Sequence, residues 1–126
     1  MAMKKQPPPG TEEKIAKMNF AKMYPILLQK VEKKGRTQEE LNQVIQWLFG
    51  YSDKKIAKMI KDEISYGDFI NKAKLNSHAH LITGVICGYR VEDLENPFIQ
   101  KVRYLDKLID ELAKGKAMVK ILRDGH

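Results

Sequence analysis

The sequence lacks the cysteines of a disulfide framework, since Cys87 is its single cysteine. Disulfides belong to oxidising compartments, so this scarcity indicates a reducing one. It also lacks a long apolar run: Leu81–Tyr89 contains Thr83 and two glycines and is far shorter than the roughly 20 residues that span a bilayer. The start of the chain, with Pro7–Pro9, has no apolar segment typical of a signal peptide. We therefore predict a cytoplasmic protein that does not enter the membrane.

Acidic residues are fewer than basic ones, and the net charge is +7. The excess is uneven, because residues 1–35 carry 8 lysines against 3 glutamates. Elsewhere the two signs are interspersed, as on an ordinary solvated surface. The charge alone therefore does not predict a nucleic-acid-binding protein.

Three segments combine a helix cap with apolar residues at helical spacing. Thr37 and Glu40 have the spacing of a capping box, Ser52 precedes the second segment, and Asn96 and Pro97 begin the third. The predicted helices cover 38–49, 53–64 and 97–114.

The remaining segments give weaker signals. Residues 1–11 are predicted to be a disordered tail, and 12–126 a single helical domain. Residues 12–34 have a helical pattern that Pro25 should break near Tyr24. A short helix is expected around 68–74, and a last apolar turn at 118–122 either continues the third helix or bends at Gly115.

Residues 81–88 are rich in β-forming residues, yet no partner strand is obvious. The segment is compatible with a strand or a helix, because periodicity does not decide for so short a run. The fold class is accordingly all-α, a compact domain of four to five helices with at most one short extended segment near 81–88.

The helix at 97–114 has apolar residues on more than one side, which is more than a single core contact requires. A homodimer formed through this helix would bury them. The competing interpretation is that the helix is central in the monomer. The residues concerned are Phe98, Ile99, Val102, Leu105, Leu108, Ile109, Leu112 and Ala113.

The pair 38–49 and 53–64 has the outline of a helix-turn-helix. Lys54, Lys58 and Lys61 share one face of its second helix, where they would meet a DNA backbone. That helix lacks the Arg, Asn and Gln that read base edges, so a solvated face is favoured.

His78, His80 and Cys87 are candidate zinc ligands or a nucleophile–base pair. A fourth zinc ligand is not evident, and the remaining histidine is His126. We instead expect exposed histidines and a buried, slowly reacting cysteine. No metal or cofactor is predicted.

The stretch after Gly88 offers a candidate ligand pocket. Arg90, Glu92 and Asp93, with Cys87 and Tyr89, would line it, and Arg90 would hold a carboxylate or phosphate. The alternative is that Arg90 pairs with a nearby acid and anchors a loop.

Long strings in the chain resemble the bacterial family known as domain of unknown function 2200. They are FAKMYP (20–25), KGRT (34–37), WLFGY (47–51), LITGVICGYRVED (81–93) and RYLDKLIDELAKGKAM (103–118). The departure from the family pattern at 78–80, where this chain has His-Ala-His, argues further against a metal or cysteine–histidine site. The resemblance implies no substrate, cofactor or partner.

We predict a small binding or interaction module that is not an enzyme, with a homodimer as one form. The first alternative is a nucleic-acid-associated protein that uses the basic residues of 14–34 and 54–61. The second is a small-molecule enzyme or sensor centred on Cys87–Asp93.

Overall fold

The computed structural model describes residues 6–123, which form seven α-helices and one hairpin of two short strands. The fold is therefore all-α, as predicted, and the larger helix count comes from short helices. The elements are α1 (Thr11–Ala16), α2 (Phe20–Glu32), α3 (Gln38–Phe49), α4 (Asp53–Lys61), α5 (Tyr66–Asn71), β1 (Val85–Ile86), β2 (Tyr89–Arg90), α6 (Pro97–Ala113) and α7 (Met118–Ile121), with 3₁₀ turns at Ala79–Leu81 and Val91–Asp93.

The three predicted caps are present. Thr37 Oγ1 accepts from the Glu40 amide, and the Glu40 carboxylate accepts from the Thr37 amide at 3.0 Å. Ser52 caps α4 and Asn96 caps α6 through their side-chain oxygens. These bonds satisfy first-turn amides that have no partner in the helix itself, so α3, α4 and α6 begin where the sequence predicts.

The expected break at Tyr24 is wrong. Pro25 lies inside α2 and is exposed, while the chain breaks earlier, before the Asn19 cap. The Phe20 amide donates to the Ile64 carbonyl at 2.9 Å, and this tertiary bond fixes the break there. A missing amide at Pro25 is tolerated because the proline is at the solvent side of the helix.

Helix α6 is the centre of the fold and contacts α2, α3, α5, α7 and the hairpin. Leu105, Leu108 and Leu112 are fully buried within the monomer, and Phe98 is nearly so. The apolar surface that motivated a dimer through residues 97–114 is therefore covered by the chain's own helices, which is the competing interpretation. The structural argument for that dimer is removed.

The segment 81–88, for which the sequence allowed a strand or a helix, contributes one strand of a short hairpin at 85–90. Val85 pairs with Arg90 and Ile86 with Tyr89 in an antiparallel hairpin, so the missing partner strand is the next segment of chain. Cys87 and Gly88 form its turn with φ of +54° and +85°. Cys87 is exposed there, and the prediction of a buried cysteine is wrong, because a turn that projects from the helices cannot enclose it.

The N-terminal segment is attached to the domain from Gln6 onward. The Gln6 side chain donates to the Asp93 carbonyl at 2.9 Å and accepts from the Glu95 amide at 3.0 Å. Asn96 also donates to the Glu12 carboxylate. Gln6 and Glu12 are thus bonded to the segment that precedes α6. The division into a disordered tail at 1–11 and a domain at 12–126 stays a prediction, and residues 1–5 and 124–126 lie outside the described residues.

Near the other end of the described residues, Gly115 has φ of +89° and α7 packs back against α6, so the last apolar turn bends at Gly115 and does not continue α6. No helix within residues 6–123 is both long enough and apolar enough to cross a membrane.

Candidate functional site

The caps of α2 and α5 bring two distant segments together. Asn19 Oδ1 accepts from the Ala21 amide, and Ser65 Oγ accepts from the Asp68 amide. Between these caps the Tyr66 amide donates to the Met18 carbonyl at 2.6 Å. Met18 and Tyr66 are consequently neighbours on the side of the domain that faces the middle of α6.

Helix α6 contributes an ion pair to the same place. Arg103 and Asp106 are three residues apart, so their side chains lie on one helix face. Arg103 Nη1 donates to Asp106 Oδ2 at 2.8 Å, and each side chain is about one-fifth exposed. The pair is therefore shielded from water far more than an ordinary surface pair.

Tyr66 is 1% exposed, and its ring stacks with Phe20 and Phe69. Its hydroxyl has no hydrogen-bond partner among residues 6–123, and neither has Arg103 Nε, which is also buried. We call these two groups, the Tyr66 O–H and the Arg103 Nε–H, the open donors. A buried polar group without a partner costs about 1–3 kcal/mol, and native proteins contain few of them.

The side chains of Tyr66 and Arg103 both line one pocket, here called the central cleft, which has a volume of about 170 Å³. It is lined by Ile15, Met18, Met23, Tyr66, Val102, Arg103 and Asp106. A second cleft of about 380 Å³ shares Ile15 and Arg103 with it and extends along Pro8–Thr11 and Lys14. Arg103 thus lies between a small, mostly apolar cleft and a wider one under the N-terminal segment.

Burial sets the charge states in the central cleft. Desolvation raises the pKa of Asp106, and the positive charges of Arg103 and Lys30 only partly oppose it. Desolvation and the Asp106 charge hold the pKa of Tyr66 far above its usual range, with Arg103 opposing. Burial also acts to lower the pKa of Arg103, but the bond and charge of Asp106 outweigh it and raise that pKa. The open donors therefore remain protonated at physiological pH.

This arrangement is suited to recognition. The polar and charged members of its lining are Tyr66, Arg103 and Asp106. What it offers is two donors, one paired carboxylate and apolar walls, which is the composition of a small binding site.

The residues predicted to form a pocket after Gly88 are placed elsewhere. Tyr89 is buried, whereas Cys87, Arg90 and Asp93 are exposed, and none of the five lines the central cleft. Glu92 accepts from the Gly84 amide at 3.0 Å, and this bond is the main reason that its pKa is lowered. Glu92 thus closes the base of the hairpin, which is close to the loop-anchoring alternative, although Arg90 makes no ion pair within residues 6–123.

The predicted basic face is present on α4. Lys54, Lys58 and Lys61 are exposed, while Ile56 and Met59 face the core. Lys58 is bonded to Asp62 at 3.0 Å, which reduces the charge of this face. Nucleic-acid binding stays a prediction.

The histidines do not come together as a metal site. His80 Nδ1 contacts the Ser77 carbonyl at 3.0 Å, and the His78 amide donates to Asn76. No three His, Cys, Asp or Glu residues of the described chain are grouped in a way that would hold a metal ion. His126 is outside the described residues.

The central cleft was not predicted from the sequence. One signal was available, because Arg103 and Asp106 interrupt the border of an otherwise apolar helix stripe at a spacing that pairs them. Nothing in the sequence indicates that Tyr66, 37 positions before Arg103, lies opposite them.

Comparison with known proteins identifies the family and leaves its activity open. The model of a family described as uncharacterized protein conserved in bacteria (DUF2200) matches residues 14–123, and the chain belongs to this family. The structure is similar to the crystal structure of uncharacterized protein SP1917, with a TM-score of 0.84 and 39% identity over 90% of this chain and 94% of that one. None of the curated proteins matches the chain.

Proposed function

We propose that this member of the DUF2200 family is a non-enzymatic binding module whose ligand occupies the central cleft. The observation that carries the proposal is that the two side chains with open donors line one cleft, and that neither donor has an acceptor among residues 6–123. A bound ligand would supply it, and the binding energy would include the hydrogen bonds that the empty fold forgoes. We also propose a cytoplasmic location, which the scarcity of cysteine supports.

Packing alone does not account for the Tyr66 hydroxyl. The ring belongs to an aromatic cluster with Phe20 and Phe69, and a phenylalanine would occupy the same volume without a buried hydroxyl. Tyr51, which packs on the same Phe69, donates its hydroxyl to the Phe69 carbonyl at 2.8 Å. The contrast supports a functional role for the hydroxyl of Tyr66.

The test follows the Arg103 side chain directly. In ¹⁵N-labelled protein the Nε–Hε group of Arg103 gives its own NMR signal, which we assign with the Arg103→Lys variant. Acetamide, acetate and inorganic phosphate are titrated separately as probes. A saturable shift of this signal with at least one probe, weaker in Tyr66→Phe and retained in Tyr51→Phe, supports the proposal. Shifts of equal size in all three proteins would overturn it.

A second candidate function, nucleic-acid association, is favoured by the three exposed lysines on one face of α4. Phosphate contacts release counterions, so binding to a DNA duplex would weaken steeply with salt. The variant Lys54→Gln/Lys58→Gln/Lys61→Gln should then bind less tightly and show a smaller salt slope. Equal binding by the variant, or none by the wild type, would eliminate this candidate.

A further inference from the structure

The chemistry of the central cleft restricts what it can bind, and this inference rests on the proposed function. Neither open donor has an acceptor among residues 6–123, and arginine has only donors to offer. The ligand must therefore bring an oxygen or another acceptor into the cleft that both side chains line, and these side chains must shift to present their buried donor atoms to it. A ligand whose polar groups only donate would leave both unsatisfied.

Charge balance decides what kind of acceptor fits. Arg103 is already paired with Asp106 at 2.8 Å, so the buried cluster is close to neutral. An anionic ligand would compete with Asp106 for the guanidinium and place two negative charges side by side in a poorly solvated cleft. Lys30, whose charge also acts on Asp106, and Lys14, at the neighbouring cleft, are both exposed, where water screens them.

The apolar walls of the central cleft indicate the size and polarity of the rest of the ligand. Ile15, Met18, Met23 and Val102 form the apolar part of the lining. Methionine side chains are flexible and adapt to irregular apolar shapes. A cleft of about 170 Å³ lies below the ~300 Å³ at which typical drug-sized sites begin, so it accepts only a short group.

We infer that the central cleft binds a neutral carbonyl group on a short aliphatic body, whose oxygen accepts hydrogen bonds from Tyr66 Oη and Arg103 Nε. Such a group is found in a ketone, an ester or an amide with a small branched acyl part. Its oxygen has two lone pairs, which matches the two open donors, and it needs no opposite charge to enter the cleft.

The experiment uses probes that share one shape. Methyl isopropyl ketone, isobutyramide and isobutyrate have the same isopropyl body and differ at the group beside the carbonyl. Each is titrated into the full chain at neutral pH, and the Arg103 Nε–Hε signal is followed. We expect saturable shifts with the ketone and the amide, and at least tenfold weaker binding of isobutyrate, since buried charge has to be compensated.

Two variants locate the hydrogen bonds. Tyr66→Phe keeps the ring and removes the hydroxyl, and it should weaken ketone binding about fivefold, the value of one neutral hydrogen bond. Arg103→Lys keeps the charge that pairs with Asp106 and removes the Nε donor together with its NMR signal. Binding to this variant is therefore followed on the backbone amide signal of Tyr66, and ketone binding should weaken similarly. Tyr51→Phe serves as the matched control and should bind like the wild type.

The outcomes separate this inference from the proposed function. Isobutyrate binding as tightly as the ketone would overturn the neutral-carbonyl class and leave the site in place. Ketone binding that is equal in Tyr66→Phe and the wild type would overturn the role of the open donors. No shift at Arg103 with any of the three probes would overturn the ligand class. The proposed function would fail if acetamide, acetate and phosphate also gave none, or if they gave equal shifts in the wild type, Tyr66→Phe and Tyr51→Phe.

Discussion

Helix α6 carries two polar clusters on its buried side, and they differ in how their polar atoms are used. Near its C-terminal end, Glu111 accepts from Arg123 at 2.7 Å and lies 3.5 Å from Lys116. Arg36 donates to the carbonyls of Leu112 and Lys116 beside it. In the middle of the helix, by contrast, Arg103 and Asp106 pair with each other beside a cleft and form no other ion pair among residues 6–123.

The difference suggests separate roles, with the C-terminal cluster holding the fold together and the middle cluster suited to binding a ligand. The C-terminal cluster ties the segment after Gly115 and the loop after α2 to α6, so its charges explain how the chain end is held. One oxygen of Glu111 is left without a partner in residues 6–123, but the carboxylate as a whole is engaged. The middle cluster bonds to no other segment within the described part of the chain, and the open donors remain. Structural pairing accounts for the first cluster and not for the second.

The largest expected effect is at Glu111, which is 7% exposed. Glu111→Gln keeps the shape and leaves Arg123 without its counter-charge, so we expect the free energy of unfolding to fall by about 3 kcal/mol. Asp110→Asn is the control on the same helix turn. Its partner Lys114 is largely exposed, so the loss there should be at most about 1 kcal/mol. Urea unfolding measures both, and equal losses would show that the C-terminal cluster is not a structural anchor.

A smaller effect distinguishes the two buried tyrosines. Tyr51→Phe removes a buried hydrogen bond and should lower the free energy of unfolding by about 1 kcal/mol. Tyr66→Phe removes an open donor, so the ligand-free protein should be as stable as the wild type or more stable. Both are measured by urea unfolding. A loss at Tyr66 as large as that at Tyr51 would mean that the Tyr66 hydroxyl has a structural partner, such as an ordered water.

The pH dependence of stability provides a third test. Burial raises the folded-state pKa of Asp106 above its ordinary 3.8, despite Arg103 and Lys30. The folded state therefore holds that proton more tightly, and the resulting stability is full below the unfolded pKa and lost as pH rises through the folded pKa. Asp106→Asn should remove this fall.

Glu40 is the matched control of opposite sign. The hydrogen bond from Arg36 lowers its folded-state pKa below the ordinary 4.5, so its stability is present above that value and lost as pH falls through the folded pKa. Unfolding free energies of the wild type, Asp106→Asn and Glu40→Gln between about pH 3 and pH 7 measure both slopes. Difference curves of the same sign would contradict the assignment for Asp106.

Local signals in the sequence were sufficient for much of the fold. Thr37 with Glu40 and Asn96 with Pro97 determine where α3 and α6 begin through bonds to neighbouring amides, so they are visible without tertiary information. The break predicted at Pro25 was wrong, because the free-energy cost of a proline inside a helix depends on whether its ring faces solvent. The true break depends on the hydrogen bond from the Phe20 amide to the Ile64 carbonyl.

The candidate site was much less predictable. Tyr66 joins Arg103 only because the α2 and α5 caps pair and dock against α6, which is a long-range event. An unpaired donor is moreover defined by what does not contact it, and no sequence pattern records that. The hairpin turn attracted attention instead because Cys87 and Arg90 are chemically distinctive residue types.

The smallest effect is expected at that turn, far from both clusters of α6. A two-residue hairpin turn with positive φ at both positions is favoured by Asn-Gly, and here Cys87 takes the first position with φ of +54°. Cys87→Asn should therefore leave the free energy of unfolding unchanged or raise it by about 0.5 kcal/mol, because asparagine tolerates this conformation.

Cys87→Val is the control, and its branched side chain should lower the free energy of unfolding by about 1–2 kcal/mol in the same urea measurement. Since Cys87 is exposed, neither variant changes core packing, so the difference between them reports backbone strain alone. Equal stabilities for the two variants would show that the turn relaxes freely and that its geometry does not depend on the residue at position 87.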